Sequence, residues 1–244
     1  MIHKVILIIA VYFLIGAIGL VFIQRHKGKE RFGKQWTKYF MYLLIVTSLV
    51  TIIQTTDVFV VPMVLVMLLA LIELFRVFKR SAKPINVFFI NSQLLFVSVA
   101  LCFLRFIFDS SREELLFVYT LVFTFDGFSQ IAGQLFGKRL LMPTISPNKT
   151  VEGFLGGFLA SMFTAFMLSS ELPVSLSAFY ITVLLLAGFV GDGLASWYKR
   201  YYQVKDYGTY IPAHGGLLDR FDSFLASGAM YQILKQIFMT YPGL

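Results

Sequence analysis

Long apolar runs separated by short polar connections fill most of this 244-residue chain. Eight such runs fall at about 5–23, 39–56, 58–78, 85–107, 115–131, 153–170, 177–196 and 221–241. Each is long enough to cross a hydrocarbon core about 30 Å thick. They are apolar on every face, whereas a membrane barrel needs strict alternation along its strands, so helices are expected. The first run is long for the apolar core of a secretory signal and lacks a small-x-small cleavage site, so it too reads as a membrane helix. The predicted fold is all-α: a polytopic integral membrane protein of about eight transmembrane helices, within a range of seven to nine.

Composition agrees, with 58% hydrophobic residues, and the placement of charge orients the helices. Six of the 21 Lys and Arg lie between Arg25 and Lys38, and four at Arg76, Lys79, Arg80 and Lys83. Three more are Lys138, Arg139 and Lys149, and four are Lys199, Arg200, Lys205 and Arg220. With eight spans, these 17 fall on one side of the membrane, which the positive-inside rule makes cytoplasmic, with both termini outside. The net charge of +8 therefore follows topology, and nucleic acid is not expected as a partner. Cys102 is alone, so no internal disulfide can form.

Polarity divides the chain near residue 112. Residues 1–112 read as a scaffold of apolar helices, and 113–244 as a catalytic region with two long cytoplasmic connections at 132–152 and 197–220. In the scaffold half, Glu73 and Arg76 are spaced to pair on one helical face, as are Arg105 and Asp109. Ionisable residues inside spans are functional candidates, but near helix ends these read first as side chains snorkelling to the interface.

The densest polarity lies between Ser196 and Asp222, where Lys199, Arg200, Lys205, Asp206, His214, Asp219, Arg220 and Asp222 crowd into 24 residues. If the seventh helix runs through Lys199, then Asp192, Ser196 and Lys199 share one face at i, i+4 and i+7. A carboxylate at the membrane boundary is costly unless paired or bound to a cation. Gly215-Gly216 can take positive φ and offer N–H groups to phosphate oxygens. Asp219 and Asp222 open the last helix, where acids also simply complement the helix dipole. Mg²⁺ is commonly held by one or two carboxylates plus substrate phosphates, which makes Asp192 and Asp219 the preferred metal pair. A third grouping runs from Asp126 through Gly133 and Gly137-Lys138 to Ser146-Pro-Asn-Lys-Thr-Val-Glu152. Ser146 and Pro147 read there as N-cap and first residue of a helix, whose start, with Lys149 and Thr150, would suit an anion. No Walker loop, zinc spacing or hydrolase elbow is present.

The run from Ser196 to Asp222 resembles the signature of the phosphatidate cytidylyltransferases, or CDP-diacylglycerol synthases. Ser196, Lys199, Arg200, Lys205, Asp206, Gly208, Ile211, Pro212, His214, Gly215, Gly216, Asp219, Arg220 and Asp222 all fall in register with it. The segments around Ser146–Glu152 and Asp126–Lys138 resemble two further stretches of that family, and the likeness covers roughly 120–225. Tyr198, Ala195 and Gln130 depart from the pattern, which bears on lipid specificity more than on the reaction. The resemblance implies transfer of CMP from CTP to phosphatidic acid, with release of pyrophosphate, at a bacterial inner membrane by a site facing the cytoplasm. It implies Mg²⁺ at Asp192 and Asp219, and leaves a second, monovalent cation open. Catalytic roles are implied for Lys199, Arg200, Lys205, Asp206, His214 and Asp222, and substrate binding for Asp126, Ser146, Lys149, Thr150, Glu152, Ser196, Gly215, Gly216 and Arg220. A homodimer and contact with membrane lipid are implied as well. The alternatives are a CTP-dependent lipid kinase of the dolichol-kinase type, a cytidylyltransferase for another lipid phosphate, and a non-catalytic transporter or scaffold.

Overall fold

The computed structural model describes residues 1–27, 32–55, 59–81, 83–171, 177–208 and 215–240, with 23–27 and 32–34 described by backbone alone. Among these residues are eight α-helices: α1 Ile2–Lys27, α2 Phe32–Thr55, α3 Val60–Arg80, α4 Val87–Asp109, α5 Arg112–Phe136, α6 Val151–Leu168, α7 Ala178–Tyr201 and α8 Leu218–Thr240. Each covers one of the eight expected runs. Helices α1 to α7 are long and apolar enough to cross a membrane. Helix α8 has the length, at 23 residues, but it carries Asp219, Arg220, Asp222, Gln232, Lys235 and Gln236. Its Ser223, Ser227 and Gln232 are buried in protein, which is where a helix of such mixed polarity is stable.

The chain forms two compact units, each made of two stretches of sequence. One takes Met1–Thr56 and Ser111–Ile181; the other takes Asp57–Ser110 and Thr182–Leu244.

In the first unit α5 is the central element, with Leu115 to Phe125 buried without a break. It begins with a capping box in which Ser111 Oγ accepts from Glu114 N and Glu114 Oε2 accepts from Ser111 N. Helix α6 lies close against α5 through small residues. A Cβ on Gly157 would come within 2.0 Å of Ser129 Oγ and 2.5 Å of the Phe125 carbonyl oxygen, and one on Gly156 within 2.4 Å of Ala132 Cβ. Such stripes let helix backbones approach where lipid offers no hydrophobic drive for association. At one end of this unit Lys4 Nζ donates to Ser170 Oγ (3.1 Å) and pairs with Glu171 (2.5 Å), so the start of α1 and the end of α6 lie together. That agrees with the expected topology, which puts both on one side.

The α5–α6 connection holds two short antiparallel strands, β1 Leu140–Met142 and β2 Ser146–Thr150, in the register Leu140↔Thr150 and Met142↔Ser146. The expected helix start at Ser146-Pro147 is therefore wrong. Proline drives the residue before it to extended backbone, and the chain stays extended until Thr150, the true N-cap of α6, whose Oγ1 accepts from Gly153 N at 3.0 Å.

In the second unit α4 and α8 interlock through aromatic rings, with Phe103 against Phe224 and Phe106 against Tyr231. A Cβ on Gly228 would fall 2.6 Å from the Phe103 ring. Helix α7 meets α8 at Gly188 and Gly191, where a Cβ would sit 2.5 Å from Ser227 Oγ and 2.4 Å from Ala226 Cβ. Asp109 accepts from Gln232 Nε2 at 2.7 Å, which ties the end of α4 to α8.

Close packing at Gly157 predicts that Gly157→Ala costs about 1–3 kcal/mol through overpacking. Thermal unfolding in detergent checks this, with Gly19→Ala as the control. The nearest atom to a Cβ there is Ile131 Cγ2 at 3.5 Å, an ordinary contact, so Gly19→Ala should hold or raise the midpoint.

Candidate active site

The polar island is organised within the second unit by the end of α7 and the start of α8. Because α7 runs unbroken to Tyr201, Asp192, Ser196 and Lys199 share one face, and Ser196 Oγ donates to Asp192 Oδ1 at 3.3 Å. One turn further on, Lys199 is only 8% exposed and its ammonium is ion-paired with Asp219 Oδ1.

How the chain turns back explains why these two meet. Val204 N donates to the Lys199 carbonyl (2.9 Å) and Gln203 N to that of Arg200 (3.0 Å), while Gln203 takes φ +57°. This is a Schellman helix end, with glutamine in the left-handed position that glycine usually fills. The reversal brings Tyr207 under the Lys199 ammonium, 5.3 Å from ring centre to Nζ. Tyr207 N donates to Asp219 Oδ2 (3.2 Å) and its hydroxyl donates to the Ala195 carbonyl (2.7 Å). Burial, helped by the carboxylates of Asp222 and Asp219, pushes the phenol well above its ordinary range, so it remains a neutral donor.

The Gly-Gly turn closes around the same carboxylate. Gly215 has φ +80°, and a Cβ there would lie 3.1 Å from Asp219 Oδ2 and 3.3 Å from Asp206 Cβ. Gly216 N donates to Asp219 Oδ2 at 3.0 Å, so this amide binds protein rather than standing open to phosphate as expected. Leu217 N and Leu218 N donate to Glu73 Oε1 and Oε2, each at 2.9 Å. Glu73 is wholly buried, at 0% exposure, and so does not snorkel. Asp222 Oδ1 accepts from Ser223 N at 2.7 Å. Arg200, Lys205, Asp206 and Arg220 are exposed, and Arg200 Nη1 donates to the Val204 carbonyl (3.2 Å). His214 lies outside the described residues.

In the first unit, Glu152 Oε2 accepts from Lys138 N (3.0 Å) and Arg139 N (3.2 Å). With Thr150 capping α6, two of the predicted substrate-binding residues hold the backbone of the 137–152 connection. Ser146 and Lys149 sit on β2 and Asp126 on α5. Among the described residues, no group of three or more carboxylates, imidazoles or thiols converges as a ready metal cage.

A model of the cytidylyltransferase family matches residues 2–238. The chain belongs to that family. Its similar relatives include phosphatidate cytidylyltransferases of Staphylococcus epidermidis (38% identical over 146 residues, 56% of each chain) and Staphylococcus aureus (35% over 146, again 56% of each). The phosphatidate cytidylyltransferase of Bacillus subtilis is 38% identical over 138 residues, 53% of this chain and 51% of that one. The match thus spans about half the length of these curated relatives.

Within this cytidylyltransferase-family chain, sequence reasoning missed Glu73 and Tyr207. Glu73 carried a signal, as an ionisable residue inside a span; Tyr207, an aromatic in a loop, carried none.

The cap at Thr150 makes a prediction that separates it from a substrate contact. Thr150→Val should lower stability by about 1 kcal/mol and Thr150→Ser should keep it, as read by thermal unfolding without substrate. At the helix end, Gln203→Gly should raise the unfolding midpoint, because the left-handed backbone costs a side-chain-bearing residue about 1–2 kcal/mol.

Proposed function

We propose that this chain transfers CMP from CTP to phosphatidic acid, giving CDP-diacylglycerol and pyrophosphate, at the cytoplasmic face of a bacterial inner membrane. One observation carries the reading: the buried Lys199–Asp219 pair lies beside the Gly215-Gly216 turn at the end of an apolar spanning helix. Membership of the cytidylyltransferase family and the names of the similar relatives support it.

In this reaction an oxygen of the lipid phosphate bonds to the α-phosphorus of CTP, while the bond from that phosphorus to the bridging oxygen breaks and pyrophosphate leaves. The nucleophile is already an anion, so no strong base is required, and the obstacle is repulsion between two phosphate groups. Preorganised positive charge is the effective remedy. Arg200, Lys205 and Arg220 are exposed cations and are assigned here to the phosphate oxygens. Lys199 joins them when its ammonium turns from Asp219 to the nucleotide. Ser196 and His214 supply further donors, and Asp206 and Asp222 position the cations. Asp126, Ser146 and Lys149 keep the substrate-binding role that the resemblance implies.

Mg²⁺, when bound, would neutralise polyphosphate charge, and Asp192 and Asp219 are the residues that would hold it. They fit that ion: both are hard oxygen donors, and a carboxylate oxygen that accepts one hydrogen bond retains another acceptor site. The homodimer and a monovalent ion rest on the resemblance alone.

Incubation of the purified protein with CTP, Mg²⁺ and phosphatidic acid should yield pyrophosphate and a CDP-lipid. Release of CDP with a new lipid phosphate would make it a lipid kinase instead, and turnover confined to prenyl or ether-lipid phosphates would reassign the acceptor. Asp219→Asn should reduce turnover by at least about a hundredfold while membrane insertion stays normal; retained turnover would overturn the metal assignment.

A further inference from the structure

Glu73 is a charged side chain buried within α3, far in sequence from the polar island yet bonded to it. Its two oxygens accept from Leu217 N and Leu218 N, 144 and 145 residues away. Both oxygens also lie 2.8 Å from where a Gly216 Cβ would be, so the carboxylate is packed directly on the Gly-Gly turn. Burying a carboxylate is costly, and a serine or aspartate beside the turn could have capped α8 locally at far lower cost. What the distant carboxylate adds is fixed position: it ties the turn that carries Asp219 to the spanning helix α3. It also fills the first amides of α8, which as a free helix start would attract phosphate. With Gly216 N and Tyr207 N committed to Asp219, four backbone donors around the turn already serve internal carboxylates.

We propose that Glu73 is a positioning residue for the transfer reaction: a built-in anion that closes the α8 amides to phosphate and holds Asp219 in place, leaving the substrate phosphates to the cationic side chains. This rests on the reaction proposed above. Glu73→Gln preserves volume but turns an amide NH₂ toward one of the two backbone N–H groups. It should lower kcat about 10- to 100-fold, the scale on which misplacing a reacting group by up to about an ångström acts. It should raise the Mg²⁺ concentration for half-maximal activity, while KM for the lipid phosphate stays within about twofold. Hydrogen exchange should quicken at residues 215–219, with the remainder of α8 still protected. Gly216→Ala, which forces Glu73 and Tyr207 apart, should reproduce both effects if the glutamine variant does not fold. The exposed Glu113→Gln should behave as wild type. Wild-type kcat and Mg²⁺ dependence in both variants would overturn the proposal, as would exchange that rises evenly across every helix. If the wild-type protein makes no CDP-lipid, the reaction reading fails by itself. The exchange at 215–219 then decides whether Glu73 holds the turn.

Discussion

The carboxylate of Asp219 gathers three polar contacts at the centre of the polar island. Lys199 pairs with one oxygen, and the amides of Tyr207 and Gly216 bond the other. Removing two charges from water is expensive, and a buried pair holds only when its geometry is good and its remaining hydrogen-bonding capacity is met. Here it is met from three directions: the last turn of α7, the returning loop and the Gly-Gly turn before α8. That one carboxylate therefore ties the end of α7, the loop behind it and the start of α8 together. Losing it would strand Lys199 and two amides together.

The setting makes such thorough satisfaction necessary. Irregular backbone near a membrane is stable only where protein or water meets its polar groups. Between Tyr201 and Leu218 the amides of Tyr202, Gln203, Val204, Tyr207, Gly216, Leu217 and Leu218 find carbonyls and carboxylates of the same unit, including Glu73 from α3. In the first unit the same constraint is met by different residues. Glu152 takes the amides of Lys138 and Arg139, and Thr150 takes that of Gly153. Small residues then bring the helices close enough for these short side chains to reach, as at Gly156 and Gly157 on α6 and at Gly188 and Gly191 on α7.

Apolar runs foretold all eight helices because length and hydropathy are local properties of the sequence. The shared face of Asp192, Ser196 and Lys199 was legible for the same reason: helical spacing fixes it once α7 is known to continue. Partnerships across the fold were not legible. Nothing local distinguishes Glu73, which reaches α8, from a glutamate that snorkels, and Tyr207 looked like an ordinary loop aromatic. Ser146-Pro147 misled because a serine followed by proline suits a helix start and an extended strand equally, and the pairing with Leu140–Met142 decides between them. Gly215 was rightly singled out for positive φ, but the amide of Gly216 had an internal acceptor that only the fold reveals.

Asp219, paired here with Lys199, is the carboxylate that would hold the metal under the proposed function, its ammonium partner then being free to meet a phosphate. A structure with Mn²⁺ and a non-hydrolysable CTP analogue, read by anomalous scattering, tests it most directly. A manganese peak is expected against the Asp219 carboxylate, with Lys199 turned to a phosphate oxygen and the 215–219 turn unmoved. A peak elsewhere, or a Lys199–Asp219 pair that stays intact with nucleotide bound, would contradict it.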